Sequence, residues 1–417
     1  MNVIVIGGGA AGMMAAIISA REGNNVTILE KTGDVGNKIK ITGKGRCNLT
    51  FDGDFEYFSK NIAVNNKFMY SPYNSFSNTD TINFFNALNV KTKLERGNRI
   101  FLESDNADEA VIALRSELKK NKVKIVYNSP VKKIITEDNK IKSVVIENGE
   151  KIDCDKCIIA TGGKSYPKTG STGDGYTLAK DLGHNIIEIK PALVPLKSND
   201  SICKELQGLT LKNVEIKVID DKKCIYTDFG EMLFAHFGLT GPIILSSSSK
   251  INRVKDLETK LKSKKIYVSI DLKPALSLEV LDKRLQRDFE KYTNKEFKNS
   301  LSDLFPQKLI PYIIKESKIN EDKKVHQITR DERLNLCNLI KNLKVNINDL
   351  MGIEVGIVTC GGVSTKEINP KTMESKLVKG LYFAGEVIDI DAYTGGFNLQ
   401  IAFSTGYVAG KNSNCEE

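Results

Sequence analysis

Val3-Ile4-Val5-Ile6-Gly7-Gly8-Gly9-Ala10-Ala11-Gly12 lies at the head of this chain, and the reading of the rest follows from it. Four consecutive β-branched aliphatic residues predict a strand buried on both faces, as in a parallel sheet. Gly7-x-Gly9-x-x-Gly12 is then a turn, and residues 13–22 read as a helix with small side chains toward the strand. Val26-Thr27-Ile28-Leu29 reads as a second strand that ends at Glu30. Strand, glycine turn, helix, strand and acid in this order form a dinucleotide fingerprint. The first glycine makes the tight turn, the second lets backbone approach a pyrophosphate, and the third packs helix on strand. The helix start, at Ala10 and Ala11, then faces the phosphates. Glu30 stands where an acid bonds an adenosine ribose hydroxyl, which favours an unphosphorylated ribose over NADP and leaves FAD and NAD.

Further along, residues 31–50 read as a Gly- and Lys-rich loop. Ala107, Ala110, Val111, Leu114 and Leu118 recur at helical spacing, so residues 106–121 form a helix. Residues 123–126, 131–136 and 141–147 read as strands, the last two joined by a turn at Asp138-Asn139. Residues 157–161 form another strand, which ends in Gly162-Gly163. Pro191 and Pro195 bracket a change of texture. Short β-like stretches follow at 214–219, 223–227 and 266–270, then lysine-rich helical patterns at 276–317 and 330–344. From Gly352 the glycine-rich βα style returns. The expected class is α/β, with one Rossmann-like nucleotide-binding domain split into residues 1–190 and 346–417. Residues 191–345 are an inserted region, β-rich over about 191–272 and helical over about 273–345.

At 417 residues the chain exceeds one ordinary core. Residues 1–20 hold no charged side chain, yet no basic segment precedes them and glycines interrupt them, so they read as neither a signal peptide nor a membrane span. A cytoplasmic protein is expected. Eight scattered cysteines fit a reducing compartment. Cys154-x-x-Cys157 could be a redox dithiol, but residues three apart on a strand point to opposite faces, so chance spacing is the better reading. The net charge of +9 is uneven: residues 191–345 hold 29 Lys and Arg against 21 Asp and Glu. Such an excess suits either an anionic partner or a solvated lysine-rich surface.

Four further blocks join the fingerprint. Lys38-Ile39 precedes Thr42-Gly43-Lys44-Gly45-Arg46-Cys47-Asn48-Leu49-Thr50. Ala160-Thr161-Gly162-Gly163-Lys164-Ser165-Tyr166-Pro167 continues through Thr169-Gly170-Ser171-Thr172-Gly173-Asp174-Gly175. A third runs Gly230-Glu231-Met232-Leu233-Phe234-Ala235-His236-Phe237-Gly238-Leu239-Thr240-Gly241-Pro242. The last is Gly380-Leu381-Tyr382-Phe383-Ala384-Gly385-Glu386 with Thr394-Gly395-Gly396-Phe397-Asn398-Leu399-Gln400. Over its whole length the chain resembles the BaiN/RdsA-like (YhiN-like) family of FAD-dependent flavoproteins, one branch of which is described as aminoacetone oxidase.

The resemblance implies non-covalent FAD. Gly7, Gly9, Ala10, Ala11, Gly12, Glu30 and Lys31 would hold its adenosine and pyrophosphate, with backbone at Val131 near the adenine. Lys38, Thr42, Gly43, Arg46, Cys47 and Asn48 would lie against the flavin, and Thr161, Gly162, Gly163, Gly385 and Glu386 near the cofactor. Gly396, Phe397, Asn398, Leu399 and Gln400 open a last helix over 399–410 whose positive end would face the flavin's N1/C2 carbonyl region. Arg46, Cys47 and His236 are the catalytic candidates, His236 and Cys47 as proton donors. Ala235 departs from the pattern, where a hydroxyl residue is expected. His184 and His326 belong to no motif and read as structural. There is no metal motif and no P-loop. There is also no second GxGxxG, so NADPH or NADH would dock only transiently as reductant.

Three functions follow. The first is hydride transfer from flavin N5 in an NAD(P)H-dependent reduction of an activated C=C, the candidate being uridine to dihydrouridine in 23S rRNA; the family has also been linked to steroid double-bond reduction. The second is an amine oxidase that acts on an aminoacetone-like substrate and releases peroxide. The third is a non-enzymatic flavin- and RNA-binding protein. The substrate, a small molecule or RNA, would dock on the basic insertion.

Overall fold

The computed structural model describes residues 1–414. The chain divides into two compact units: Met1–Ala192 together with the chain from Ile353 on, and Leu193–Gly352. The second junction falls after residue 345 because Leu343–Asn346 and Asp349–Leu350 are strands of the inserted unit's own sheet.

The first unit is built on a five-stranded parallel sheet. Its order is Leu381–Phe383, Lys156–Ile159, Asn2–Ile6, Asn25–Leu29, Lys124–Val126. Val5 pairs with Ile28 on one side and Ile158 on the other, and all three are fully buried. That burial is why these strands are aliphatic runs rather than alternating patterns. The first helix spans Ala10–Arg21, so it begins inside the fingerprint and not at residue 13. Residues 31–50 are more ordered than a loop: they contain the helix Asn37–Ile41, a 3-10 turn at Thr42–Gly45 and the start of the strand Asn48–Phe51. Isolated short turns of this kind have too few periodic residues to show in sequence.

The last helix, Phe397–Asn412, packs along the first. A β-carbon on Gly406 would come within 2.5 Å of the Ala11 carbonyl oxygen, and one on Gly410 would overlap that of Ala15. Positions 406 and 410 advance in step with 11 and 15, so the helices run parallel with their backbones in direct contact. Eight residues of offset at 1.5 Å each put the start of the last helix about 12 Å beyond that of the first.

The inserted unit carries a seven-stranded antiparallel sheet. Its order is Leu343–Asn346, Ile266–Asp271, Thr210–Asp220, Lys223–Ala235, Gly238–Thr240, Leu196–Lys197, Asp349–Leu350. Val214, Ile216, Val218, Ile266, Val268 and Ile270 alternate inward with period two. The β-rich half also holds the helices Ser201–Glu205, Pro242–Ile251 and Leu257–Lys262. The helical half holds Leu278–Lys291, Ile310–Ser317 and Arg330–Lys341. The last of these stops three residues before 344, because buried Leu343 and Val345 flank exposed Lys344 in strand alternation. No helix among the described residues is long and apolar enough to cross a membrane.

Candidate functional site

The helix Ala10–Arg21 starts at Gly9, whose backbone is extended and provides no side-chain cap. Its first N–H groups therefore lack partners within the helix. A β-carbon on Gly9 would meet nothing within 4 Å, whereas one on Gly12 would overlap the Gly7 carbonyl oxygen. Gly9 thus looks onto open space and Gly12 closes the helix onto its own loop. Glu30 is 7% exposed at the end of the second strand. Its carboxylate accepts from Gly8 N–H (2.7 Å), Thr32 N–H (2.8 Å) and Thr32 Oγ1 (2.7 Å), so it also braces the loop. Lys31 is paired with Asp174 at 2.6 Å. Ser129 N–H donates to the Glu30 carbonyl (2.9 Å), which brings the strand Val131–Glu137 and its first residue, Val131, alongside.

Lys38 donates to Glu386 (2.6 Å) and Ser165 Oγ (2.7 Å). Glu386 also accepts from Thr359 N–H (2.8 Å) and Ser165 Oγ (3.0 Å). These bonds tie the helix Asn37–Ile41 to the turn after Thr161, Gly162 and Gly163 and to the turn at Gly385–Val387. Downstream, Thr42 Oγ1 donates to the Ile39 carbonyl (2.7 Å), and Gly43 and Lys44 take left-handed backbone. The Arg46 guanidinium lies over the Phe101 ring at 4.5 Å and is held by Glu95 and by Asp105 (2.6 Å). Cys47 is fully buried, and burial pushes its thiol up to about 12.

The helix Phe397–Asn412 starts at Gly396, again with no side-chain cap. Its first side chains all turn into the scaffold. Phe397 packs on Phe51 at 4.8 Å, and the Asn398 amide clamps Ala392 through donation to its carbonyl (2.8 Å) and acceptance from its N–H (3.0 Å). Gln400 is fully buried; its oxygen accepts from Thr50 and Thr81 hydroxyls (2.7 and 2.8 Å), and its nitrogen donates to the Phe76 carbonyl (3.1 Å). Oriented to satisfy both neighbours, the Asn48 amide accepts from Gly396 N–H (3.0 Å). What this helix start offers a ligand is backbone: the N–H groups of Phe397, Asn398 and Leu399.

Comparison with known proteins places this geometry. Residues 1–412 match the family described as HI0933-like protein Rossmann domain. The chain belongs to the HI0933-like family. A relative from Clostridium scindens named 3-dehydro-bile acid delta(4,6)-reductase is 32% identical, with 99% of this chain and 98% of that protein covered. The ribosomal RNA dihydrouridine synthase of Haemophilus influenzae is 31% identical over 97% of this chain and 96% of its own length. That of Escherichia coli is 29% identical over 99% and 97%. Among solved structures, 3-ketosteroid-delta4-(5alpha)-dehydrogenase from Rhodococcus jostii RHA1 is 15% identical with a TM-score of 0.55, covering 99% of this chain and 96% of that one. That likeness shows a shared fold. The protein is an FAD-dependent oxidoreductase.

The residues of this HI0933-like flavoprotein fit FAD. One uncapped helix start opens on space at Gly9 and a second lies about 12 Å further on, an interval that suits pyrophosphate at one and flavin at the other. The catalytic candidates differ in what the fold does with them. Arg46 is consumed by ion pairs and Cys47 is sealed in the core, whereas His236 sits in an exposed turn between Lys223–Ala235 and Gly238–Thr240 of the inserted unit. Cys154 and Cys157 are free and buried, and burial raises both thiols. His184 is buried between Ser375 Oγ (2.9 Å from Nε2) and Glu367 (3.2 Å from Nδ1), and burial lowers its pKa. His326 Nδ1 lies 2.8 Å from the Thr293 carbonyl. No group of three or more His, Cys, Asp or Glu among the described residues could hold a metal ion.

Several residues that shape the site carry no motif. Thr359 joins Ser165, itself part of the block 160–167, in completing the Glu386 cluster, and Glu95 and Asp105 fix Arg46. Gly406 and Gly410 set the two helices together; their i, i+4 spacing in a helix of mostly larger residues is the signal that would have found them.

Proposed function

We propose that this oxidoreductase is a reductase that saturates a C=C bond activated by a neighbouring carbonyl, with uridine in large-subunit ribosomal RNA as the favoured substrate. The observation that carries it is that full-length relatives with two different substrates are both named for removal of a double bond, in a bile acid and in RNA. Bound FAD would supply hydride from N5, recharged by NADPH or NADH.

The chain's own residues would do the rest. The start of Ala10–Arg21 would hold the pyrophosphate, Glu30 the adenosine ribose, and backbone near Val131 the adenine. The N–H groups at Phe397, Asn398 and Leu399 would favour negative charge in front of them. Thr42, Gly43 and Asn48 would lie against the flavin, with Lys38 and Glu386 bonded to each other and Arg46 to Asp105 beside them. His236 is the proton donor to test, since of the three candidates its side chain alone is exposed and outside ion pairs.

Anaerobic mixing of the purified yellow protein with NADPH, NADH and aminoacetone in turn tests the reaction class. Bleaching by a nicotinamide is expected. Bleaching by aminoacetone alone, with peroxide on readmission of air, would overturn the reading. Deletion of the gene should remove one dihydrouridine from ribosomal RNA, and His236→Ala should lower turnover about 100-fold with flavin content intact. Unchanged turnover would remove His236 from the mechanism.

A further inference from the structure

The inserted region owns the largest share of the net charge, but much of it is spent internally. Lys260 pairs with Asp220, Arg333 with Asp282, Lys291 with Asp303 and Lys341 with Asp271. The first unit holds a run with almost no acids. Residues 115–133 contain seven Lys and Arg against the single acid Glu117, and Glu117 faces Arg21 at 2.7 Å. The fold turns this run into a groove of about 550 Å³, open to solvent, between the helix Ala107–Lys120 and the edge strand Lys124–Val126. Arg115, Lys119 and Lys122 form its rim and Val123, Ile125 and Tyr127 its floor. Arg115 reaches Asp34 at 3.0 Å, while Lys119 and Lys122 are exposed and make no ion pair among the described residues.

We infer that this groove docks the sugar–phosphate backbone of single-stranded RNA, outside the flavin site. Lys119, in the last turn of the helix, and Lys122, two residues past its end, present two exposed cations outside ion pairs to a polyanion. Tyr127, half-buried, offers a ring to an unpaired base. An open trough cannot desolvate a small ligand, so its affinity must come from repeated phosphate contacts. Lysines also guard sheet edges and compensate helix C-termini, but neither role needs a groove with an apolar, aromatic floor. The inference rests on RNA as the substrate class, and it gives that substrate a second hold on the enzyme.

Binding of a labelled uridine-rich RNA oligonucleotide to the holoenzyme, followed against salt, tests it. Lys119→Gln/Lys122→Gln should weaken binding about tenfold at low salt and reduce the log–log salt slope by about 1.4, with flavin content unchanged. Lys255→Gln/Lys262→Gln, on exposed positions of the inserted unit, should change neither. Unchanged affinity and slope in the groove variant, loss only in the second variant, or poly-glutamate bound as tightly as RNA would each overturn the groove. Dihydrouridine formation is scored separately: wild-type enzyme that binds RNA through the groove but makes none would defeat the substrate reading and leave the groove standing.

Discussion

A single β-carbon decides whether the fingerprint can close. On Gly12 it would overlap the Gly7 carbonyl, which cannot move without shifting the strand Asn2–Ile6. Gly12→Ala is therefore expected to cost about 1–3 kcal/mol and to leave the purified protein largely colourless, read from its flavin-to-protein absorbance ratio. A ratio equal to that of the wild-type protein would refute this. His184 gives a pH prediction. Ser375 Oγ already accepts from the N–H groups of Leu377 and Val378, so its hydroxyl proton is left to donate to Nε2, and Nδ1–H faces Glu367. The ring is thus held neutral, with burial lowering its pKa against the pull of Glu367. The unfolded chain binds the proton first as pH falls, near about 6.5. This contribution is complete above that pH and is lost as pH drops through it, by at most about 1.4 kcal/mol per pH unit. Thermal melts between about pH 7.5 and 5.5 should fall more steeply for wild type than for His184→Gln; equal slopes would exclude the assignment.

At the scale of elements, the site is two parallel helices and a strapped loop. Gly406 touching the Ala11 backbone sets where the last helix begins, and the Asn48 amide on Gly396 anchors that start to the strand Asn48–Phe51. Gly406→Val should push the helices apart. The expected result is a loss of about 1–3 kcal/mol in stability and at least a tenfold weaker hold on FAD, measured by flavin release on dilution. Gly406→Ala should fall between. Full retention of flavin by the valine variant would show that the helix start is fixed by other contacts.

At the scale of the whole molecule, the inserted unit leaves and returns at neighbouring points. Ala192 pairs with Val358 in the first unit, and Met351 N–H donates to the Pro195 carbonyl (3.0 Å) in the second. Replacement of residues 193–352 by a short glycine-rich linker should therefore leave a yellow, folded first unit that melts cooperatively; loss of flavin from that protein would show that the insertion is needed to hold FAD. By itself the sequence determined the βαβ start, the acid at its end, the split into two segments and the family blocks, because those depend on local periodicity and on glycines at set spacing. It did not show that Arg46 would be tied up by Glu95 and Asp105, or that Phe397, Asn398 and Gln400 would turn inward and leave only N–H groups for a ligand. Nor did it show that Arg115, Lys119 and Lys122 would stand around one groove with Val123, Ile125 and Tyr127. Those are matters of which side chains meet across the fold. Partners tens or hundreds of residues away use up or spare each charge and hydrogen bond, and only the tertiary structure brings them together.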